Sequence, residues 1–126
     1  MKKVYLDANV LLELLFHRAR YEKVVDALLD AKDVQLCISV LSVDLVMYFV
    51  EIEKQSKVKA WEFLSKYHQL DLTTVDTTWA HDNDQGDFED ALQVSCALRH
   101  GCKLLITLDK DFQKMYGAFI NVQTIR

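Results

Sequence analysis

The alternation of short apolar runs with helix-type patterns limits the possible folds of this chain more than any other feature. Strand-type runs occur at residues 3–6, 35–38, 70–75, 103–107 and 121–125. The segments between them repeat apolar residues at helical spacing, as in Tyr21, Val24, Val25 and Leu28. Strands that alternate with helices are typical of a mostly parallel sheet with helices packed on it. We therefore predict an α/β fold.

The helical segments can be bounded from the same pattern. Ser42 is a suitable cap for a helix that carries Leu45, Val46, Phe49 and Val50 on one side. Gly101 stands where a glycine commonly ends a helix. The predicted helices cover residues 9–16, 21–31, the segment after Ser42, the segment of Val58, Trp61 and Leu64, and residues 88–100 and 109–115.

Length and composition limit the number of domains and the cellular setting. With 126 residues and 51% hydrophobic content, the chain can bury one core but not two, so residues 1–126 should form a single domain. Asp7 and Glu13 interrupt the apolar stretch near the amino terminus before it resembles a signal peptide. The longest uncharged run, residues 34–43, is too short to cross a bilayer. We expect a cytoplasmic protein with no membrane contact.

Cysteine, histidine and net charge exclude several kinds of site. The three cysteines show no spacing suited to zinc and should be reduced thiols of the core, and the four histidines are scattered. A net charge of −4 argues against a protein that coats nucleic acid by charge alone. Local basic residues could still face a phosphate backbone, although a solvated surface is the favoured interpretation of Arg18, Arg20 and Lys23.

Several aspartates should meet at one edge of the predicted sheet. Asp7 and Asp109 follow strands, and Asp44 lies in the first turn of the helix after the second strand. Asp87 and Asp90 open a helix that precedes a strand and runs antiparallel to it, so they start from the same edge. Ligands of open parallel sheets bind at this carboxyl-terminal edge. We therefore predict that Asp7, Asp90 and Asp109 converge around one cavity.

Each acid also has a purely structural interpretation, because carboxylates near helix starts satisfy free N–H groups and the helix dipole. Several carboxylates at one edge, however, would repel one another unless cations neutralised them. Oxygen ligands without cysteine or histidine favour Mg²⁺ or Mn²⁺. Two such ions could activate a water molecule and stabilise both oxygens of a phosphodiester displacement. The chain also lacks a GxSxG elbow, a P-loop and a GxGxxG turn.

Three segments resemble the motifs of PIN-domain nucleases, in the family's order and spacing. VYLDANVLLELL is similar to the opening strand and helix, GDFEDALQVSCAL to the central acidic helix, and KLLITLDKDF to the T-x-D-x-D-F block. The resemblance spans nearly the whole chain. It implies a three-layer α/β/α sandwich whose parallel five-stranded sheet has the order 3-2-1-4-5.

The resemblance also implies roles for individual residues. Asp7, Asp90 and Asp109 would coordinate Mg²⁺ or Mn²⁺ in a ribonuclease site, with Asp87 as an auxiliary acid. Asn9, Thr107 and Asp111 would orient the ligands or assist them. The family's remaining acid aligns nearer to Leu45 than to Asp44. Asp44 is therefore either a further catalytic ligand, which we slightly favour, or a residue that only complements the helix dipole.

Chains of this size resemble the toxins of VapBC-type toxin–antitoxin pairs, which are small homodimeric ribonucleases blocked by a partner protein. The expected partners are thus an RNA substrate, an antitoxin and a second copy of the chain. One alternative is a non-catalytic PIN-like module that binds RNA or protein with a degenerate metal site. Another is a phosphoryl-transfer domain, but it would need a second acid in a D-x-D motif, which Asn9 replaces.

Overall fold

The computed structural model describes all residues from 1 to 126. Its strands are β1 (Lys2–Leu6), β2 (Val34–Ser39), β3 (His68–Leu70), β4 (Leu104–Thr107) and β5 (Asn121–Thr124). They form one sheet in the order β3-β2-β1-β4-β5, and every neighbouring pair is parallel. The predicted fold class and strand order are confirmed.

Seven helices cover the two faces of the sheet. They are α1 (Ala8–Leu15), α2 (Tyr21–Leu29), α3 (Val40–Ile52), α4 (Lys57–Leu64), α5 (Thr74–Asn83), α6 (Phe88–Arg99) and α7 (Phe112–Tyr116). Buried residues of α1 to α4 form one apolar cluster with the sheet, and those of α5 to α7 form a second. The molecule is therefore a three-layer sandwich.

The strands serve both clusters because successive side chains of a strand point to opposite faces. In β1, Val4 and Leu6 belong to the first cluster, and Tyr5 belongs to the second. Burial on both faces accounts for the continuous apolar character of the strands, which is typical of parallel sheets.

The third strand was predicted wrongly as residues 70–75. In the structure β3 ends at Leu70, and α5 begins at Thr74. The Thr73 side chain caps α5, and the carboxylate of Asp76 accepts a hydrogen bond from the Thr73 backbone N–H at 2.9 Å. This capping box outweighs the alternating pattern from which the longer strand was predicted.

The cap of α3 also differs from the prediction. Ser39, at the end of β2, is the N-cap, and its hydroxyl accepts a hydrogen bond from the Ser42 backbone N–H at 3.2 Å. The helix therefore starts at Val40, with no connecting loop after the strand. The predicted helix over residues 109–115 is shorter at its start and begins at Phe112.

Gly101 ends α6 as predicted. Its φ of +78° lies in the left-handed region, which glycine adopts without steric cost. The Cys102 and Gly101 N–H groups return to the carbonyls of Ala97 and Leu98, and these two bonds complete a Schellman motif.

Burial supports the interpretation of the cysteines as free core thiols, since Cys37, Cys96 and Cys102 are all buried and unbridged. None of the helices combines the length and the apolar character needed to span a bilayer.

Candidate active site

A cavity of about 390 Å³ opens at the carboxyl-terminal edge of the sheet. Four of the predicted acids line it, namely Asp7, Asp87, Asp90 and Asp109. Its other walls come from α1 and α3, with Leu12, Leu45, Tyr48 and Phe49. The predicted convergence of Asp7, Asp90 and Asp109 around one cavity is thus observed.

Asp7 lies between β1 and α1 and is only 4% exposed. It occupies the N-cap position of α1, but its side chain makes no capping bond. Instead, Oδ1 accepts a hydrogen bond from Gln93 Nε2 at 2.9 Å, and Oδ2 accepts one from Thr107 Oγ1 at 2.7 Å. Burial raises the pKa of Asp7, and the Thr107 and Gln93 hydrogen bonds oppose that rise.

Asn9 and Thr107 tie the Asp7 and Asp109 segments together. Thr107 Oγ1 accepts hydrogen bonds from the Asp109 backbone N–H at 3.0 Å and from Asn9 Nδ2 at 3.3 Å. Asn9 Oδ1 accepts a hydrogen bond from the Leu108 N–H at 3.2 Å. Thr107 therefore contacts the Asp7 carboxylate directly, and Asn9 contacts Thr107 and the Leu108 backbone.

Asp111 is placed differently from the other acids. It is exposed and does not line the cavity, and its backbone N–H donates to Asp109 Oδ1 at 2.9 Å. Asp111 therefore contributes to the orientation of Asp109 through its main chain.

The start of α6 contributes the acids on the other side of the cavity. Asp87 caps the helix by accepting a hydrogen bond from the Asp90 backbone N–H at 3.2 Å, so Asp87 also has the structural role considered above. Burial, followed by the charges of Asp7, Asp87, Asp109 and Glu89, raises the pKa of Asp90 to about 8. Without a cation, Asp90 would be mostly protonated near neutral pH.

Asp44 is not brought to this cavity. It is exposed on α3 and is absent from the lining, whereas Leu45 is part of the wall. One residue along a helix rotates the side chain by about 100°, which accounts for the difference. The geometry therefore gives no support to the ligand role of Asp44 that the sequence slightly favoured.

Glu89 was not singled out from the sequence, yet it lines the cavity. Burial, and then the charges of Asp87 and Asp7, raise its pKa. Its position could have indicated this role in the sequence, because Glu89 is next to Asp90 in the first turn of α6, and this turn lies at the carboxyl-terminal edge of the sheet.

The donor set suits a hard divalent cation, because the polar side chains of the lining are carboxylates together with Asn9 and Tyr48. No group of three histidine, cysteine, aspartate or glutamate side chains is already arranged to hold one ion. Mg²⁺ commonly keeps several waters and uses only one or two protein carboxylates. The residues present therefore fit such an ion without a closed protein cage.

A family model described as PIN domain matches residues 4–118 of the chain. No curated protein is significantly similar to it in sequence.

Solved structures with the same fold include a toxin and chains of toxin–antitoxin complexes. A toxin–antitoxin complex from Klebsiella pneumoniae has a chain that is 21% identical, with a TM-score of 0.78 and 98% of each chain covered. The VapBC2 complex of Rickettsia felis, bound to a DNA fragment from its promoter, is 17% identical, with a TM-score of 0.72 and coverage of 98% and 99%. VapC20 of Mycobacterium tuberculosis, a sarcin–ricin loop cleaving toxin, is 16% identical, with a TM-score of 0.72 and coverage of 95% and 98%. At these identities the likeness establishes the fold.

Proposed function

Because the chain belongs to the PIN domain family, we propose that it is a metal-dependent endoribonuclease. One observation carries the proposal: four aspartates that follow β1, follow β4 and open α6 line one cavity, where burial and the charges of the other three raise the pKa of Asp90 to about 8. A divalent cation would remove that repulsion and keep the carboxylates ionised. The four aspartates would hold this cation in a cavity that is open to a substrate.

The residues of this chain would have the following roles in the reaction. Asp7, Asp90 and Asp109 hold Mg²⁺ or Mn²⁺, with Asp87 and Glu89 at the same cavity. Thr107 and Asn9 keep Asp7 and the Asp109 segment in place. A bound ion supplies the activation of water against the RNA phosphodiester.

A cationic group also lies near this edge. Arg20 Nη1 donates a hydrogen bond to the Leu108 carbonyl at 3.3 Å, directly before Asp109. The backbone N–H of Arg20 is held by the buried Glu13 carboxylate at 2.6 Å, which fixes the start of α2. The guanidinium is thus placed to contact an RNA phosphate that approaches the cavity.

Cleavage of a single-stranded RNA by the purified protein tests the activity. Wild type should cut with Mn²⁺ and stop when EDTA is added, and Asp7→Asn should be inactive while remaining folded. A DNA strand of the same sequence, tested in parallel, is the control that shows whether cleavage is specific to RNA. Wild-type protein that binds Mn²⁺ without cutting any RNA would contradict the nuclease proposal.

We further propose that the enzyme is the toxin of a cytoplasmic toxin–antitoxin pair and acts as a homodimer. The support is the likeness of fold to chains from toxin–antitoxin complexes. Tyr48 and Trp61 are more than half exposed and could contribute to a protein interface. Light scattering should give twice the mass of one chain, and co-expression with the product of the adjacent reading frame should suppress cleavage.

A non-catalytic PIN-like module that binds RNA or a protein is the second candidate. The observation in its favour is Leu45 in the cavity wall, where the family resemblance leads us to expect an acid. Under this alternative, wild type would bind RNA with or without Mn²⁺ and would cut none of it. The cleavage assay therefore separates the two candidates.

A further inference from the structure

A buried polar side chain that the sequence did not single out lies directly beneath Asp7. Gln93 of α6 is fully buried, and its Nε2 donates to Asp7 Oδ1 at 2.9 Å. Thr107 Oγ1 donates to Oδ2 at 2.7 Å, and the remaining lone pairs of the carboxylate are left for the cavity, which Asp7 lines. The direction of this carboxylate therefore depends on the Gln93 amide together with the Thr107 hydroxyl.

The orientation of that amide is determined by its surroundings. Gln93 Oε1 accepts a hydrogen bond from the Ala8 backbone N–H at 3.2 Å. A backbone N–H can only donate, so a flipped amide would place two donors against each other. The NH₂ group must consequently face Asp7.

Tyr5 holds the amide from the other side. Its hydroxyl donates to Gln93 Oε1 at 3.1 Å and lies 2.9 Å from Ser39 Oγ. Ser42 Oγ lies 3.4 Å from both Tyr5 Oη and Gln93 Oε1 and completes the network. Every one of these side chains is fully buried, so water does not compete for their hydrogen bonds.

The network also couples two parts of the cavity. Gln93 and Asp90 are three residues apart on α6 and therefore share one helical face. Tyr5 and Asp7 are two residues apart along the path of β1, so both point towards α6. Helix α6 thus supplies both Asp90, which lines the cavity, and the Gln93 amide, which holds Asp7 at the end of β1.

We propose that Gln93, fixed in orientation by Tyr5, is a positioning residue that holds the Asp7 carboxylate in its metal-binding direction. The metal-binding part of this statement rests on the proposed function. Gln93 does not line the cavity and acts only through Asp7.

Replacement of Gln93 by methionine tests the proposal, because an unbranched side chain of similar length fills the same space without the amide. Gln93→Met should weaken Mn²⁺ binding, measured by calorimetry, and RNA cleavage, each by about 10- to 100-fold. Ser95→Ala is the matched control: it removes another buried hydrogen bond of α6, to Asp76, away from the cavity. At equal folded fraction, this control should bind Mn²⁺ and cut RNA as wild type does.

Tyr5→Phe supplies a milder variant in case Gln93→Met folds poorly. It removes only the hydroxyl that holds Gln93, so the loss of Mn²⁺ affinity should be smaller than with Gln93→Met. In the double variant the Tyr5 change should add nothing, because it acts through Gln93. A loss in the double variant equal to the sum of the two single-variant losses would overturn the role assigned to Tyr5.

Crystal structures of metal-free wild type and of the folded variant separate failure of this inference from failure of the proposed function. The Asp7 carboxylate should rotate away from its wild-type position when the Gln93 amide, or the Tyr5 hydroxyl that orients it, is removed. An unchanged Asp7 rotamer, or Mn²⁺ affinity equal to that of the Ser95→Ala control, would overturn the inference. Wild type that neither binds Mn²⁺ nor cuts RNA would overturn the proposed function, and the Asp7 rotamer would still decide the positioning role.

Discussion

Asp7 and Asp90 line the same cavity but are stabilised in different ways. The Asp7 carboxylate is buried and accepts hydrogen bonds from Thr107 and Gln93, which favour its charged form. For Asp90, burial and the charges of neighbouring acids all act against ionisation. Burial raises the pKa of both groups, but hydrogen bonds oppose that rise at Asp7, whereas the neighbouring charges add to it at Asp90.

The first prediction concerns the stability of the metal-free protein. The pKa of Asp90 rises from 3.8 to about 8 in the folded state, so between these pH values the folded state binds more protons than the unfolded state. Stability must then fall as pH rises through this window, and the full cost is present above about pH 8. Asp90→Asn should remove that cost. In urea unfolding with EDTA, Asp90→Asn should be more stable than wild type at pH 9 and equally stable near pH 4. An equal gain in stability at both pH values would contradict the prediction.

The second prediction separates Asp44 from Asp90 by their positions. Asp90→Asn should reduce Mn²⁺-dependent cleavage of a single-stranded RNA by more than about 100-fold, since a direct ligand should matter more than a group that orients one. Asp44→Asn should leave cleavage within about twofold and change stability by less than about 0.5 kcal/mol, because Asp44 is exposed and lies beyond the first turn of α3. If both variants lost activity equally, Asp44 would be a ligand after all.

At the scale of elements, α5 shows how a local cap decides structure. Only Asp76 and Ala80 of this helix are buried, so its apolar face is narrow. Burial raises the pKa of Asp76, but hydrogen bonds from Arg99, the Thr73 N–H and Ser95 outweigh burial and hold the pKa below its usual value. Asp76 accordingly joins α5 to α6 through Arg99 Nη2 at 2.8 Å and Ser95 Oγ at 2.8 Å.

The third prediction tests this cap. Thr73→Ala should lower the free energy of unfolding by about 1 kcal/mol, because the N-terminus of α5 loses its side-chain acceptor. Thr74→Ala, one residue further along the exposed surface, is the matched control and should change stability by less than about 0.5 kcal/mol. Chemical denaturation of both variants measures the difference, and equal losses would argue against the cap. Neither change should alter RNA cleavage, since α5 does not line the cavity.

At the scale of the whole molecule, the acids of the cavity lie at one edge of the sheet, and most of the apolar packing lies elsewhere. The two apolar clusters pack on opposite faces of the sheet. The ligands come from the ends of β1 and β4 and the start of α6, and no metal-nucleated loop carries them. Folding should therefore not require the metal.

The fourth prediction follows from this separation of core and site. In EDTA, wild type and Asp7→Asn should both unfold cooperatively; any relief of charge repulsion in Asp7→Asn is opposed by an amide N–H that faces the Gln93 or Thr107 donor. Mn²⁺ at 100 times its dissociation constant should stabilise wild type by about 2.7 kcal/mol and the variant by much less. Thermal unfolding with and without Mn²⁺ measures both effects. A loss of the cooperative transition in EDTA would show that the fold depends on the metal.

Strand–helix alternation along the sequence was sufficient to predict the α/β class and the edge at which Asp7, Asp90 and Asp109 meet. These features depend on local hydrophobic periodicity and on a general property of parallel sheets, so the sequence alone is sufficient to predict them. The end of α6 at Gly101 was predictable for the same reason, since a helix stop is a local signal. The strand order came from the motifs that resemble the PIN family.

Other features were decided by tertiary structure alone. The face of α3 that meets the cavity depends on how that helix packs against α1 and β2, and this packing brings Leu45 into the wall in place of Asp44. The role of Gln93 depends on Tyr5 and Ala8, which lie more than 80 residues away in sequence. No local pattern marks a buried glutamine as the partner of one particular aspartate. Such a pairing exists only after the sheet has brought β1 against α6, because hydrogen bonds between distant segments depend on packing and not on periodicity.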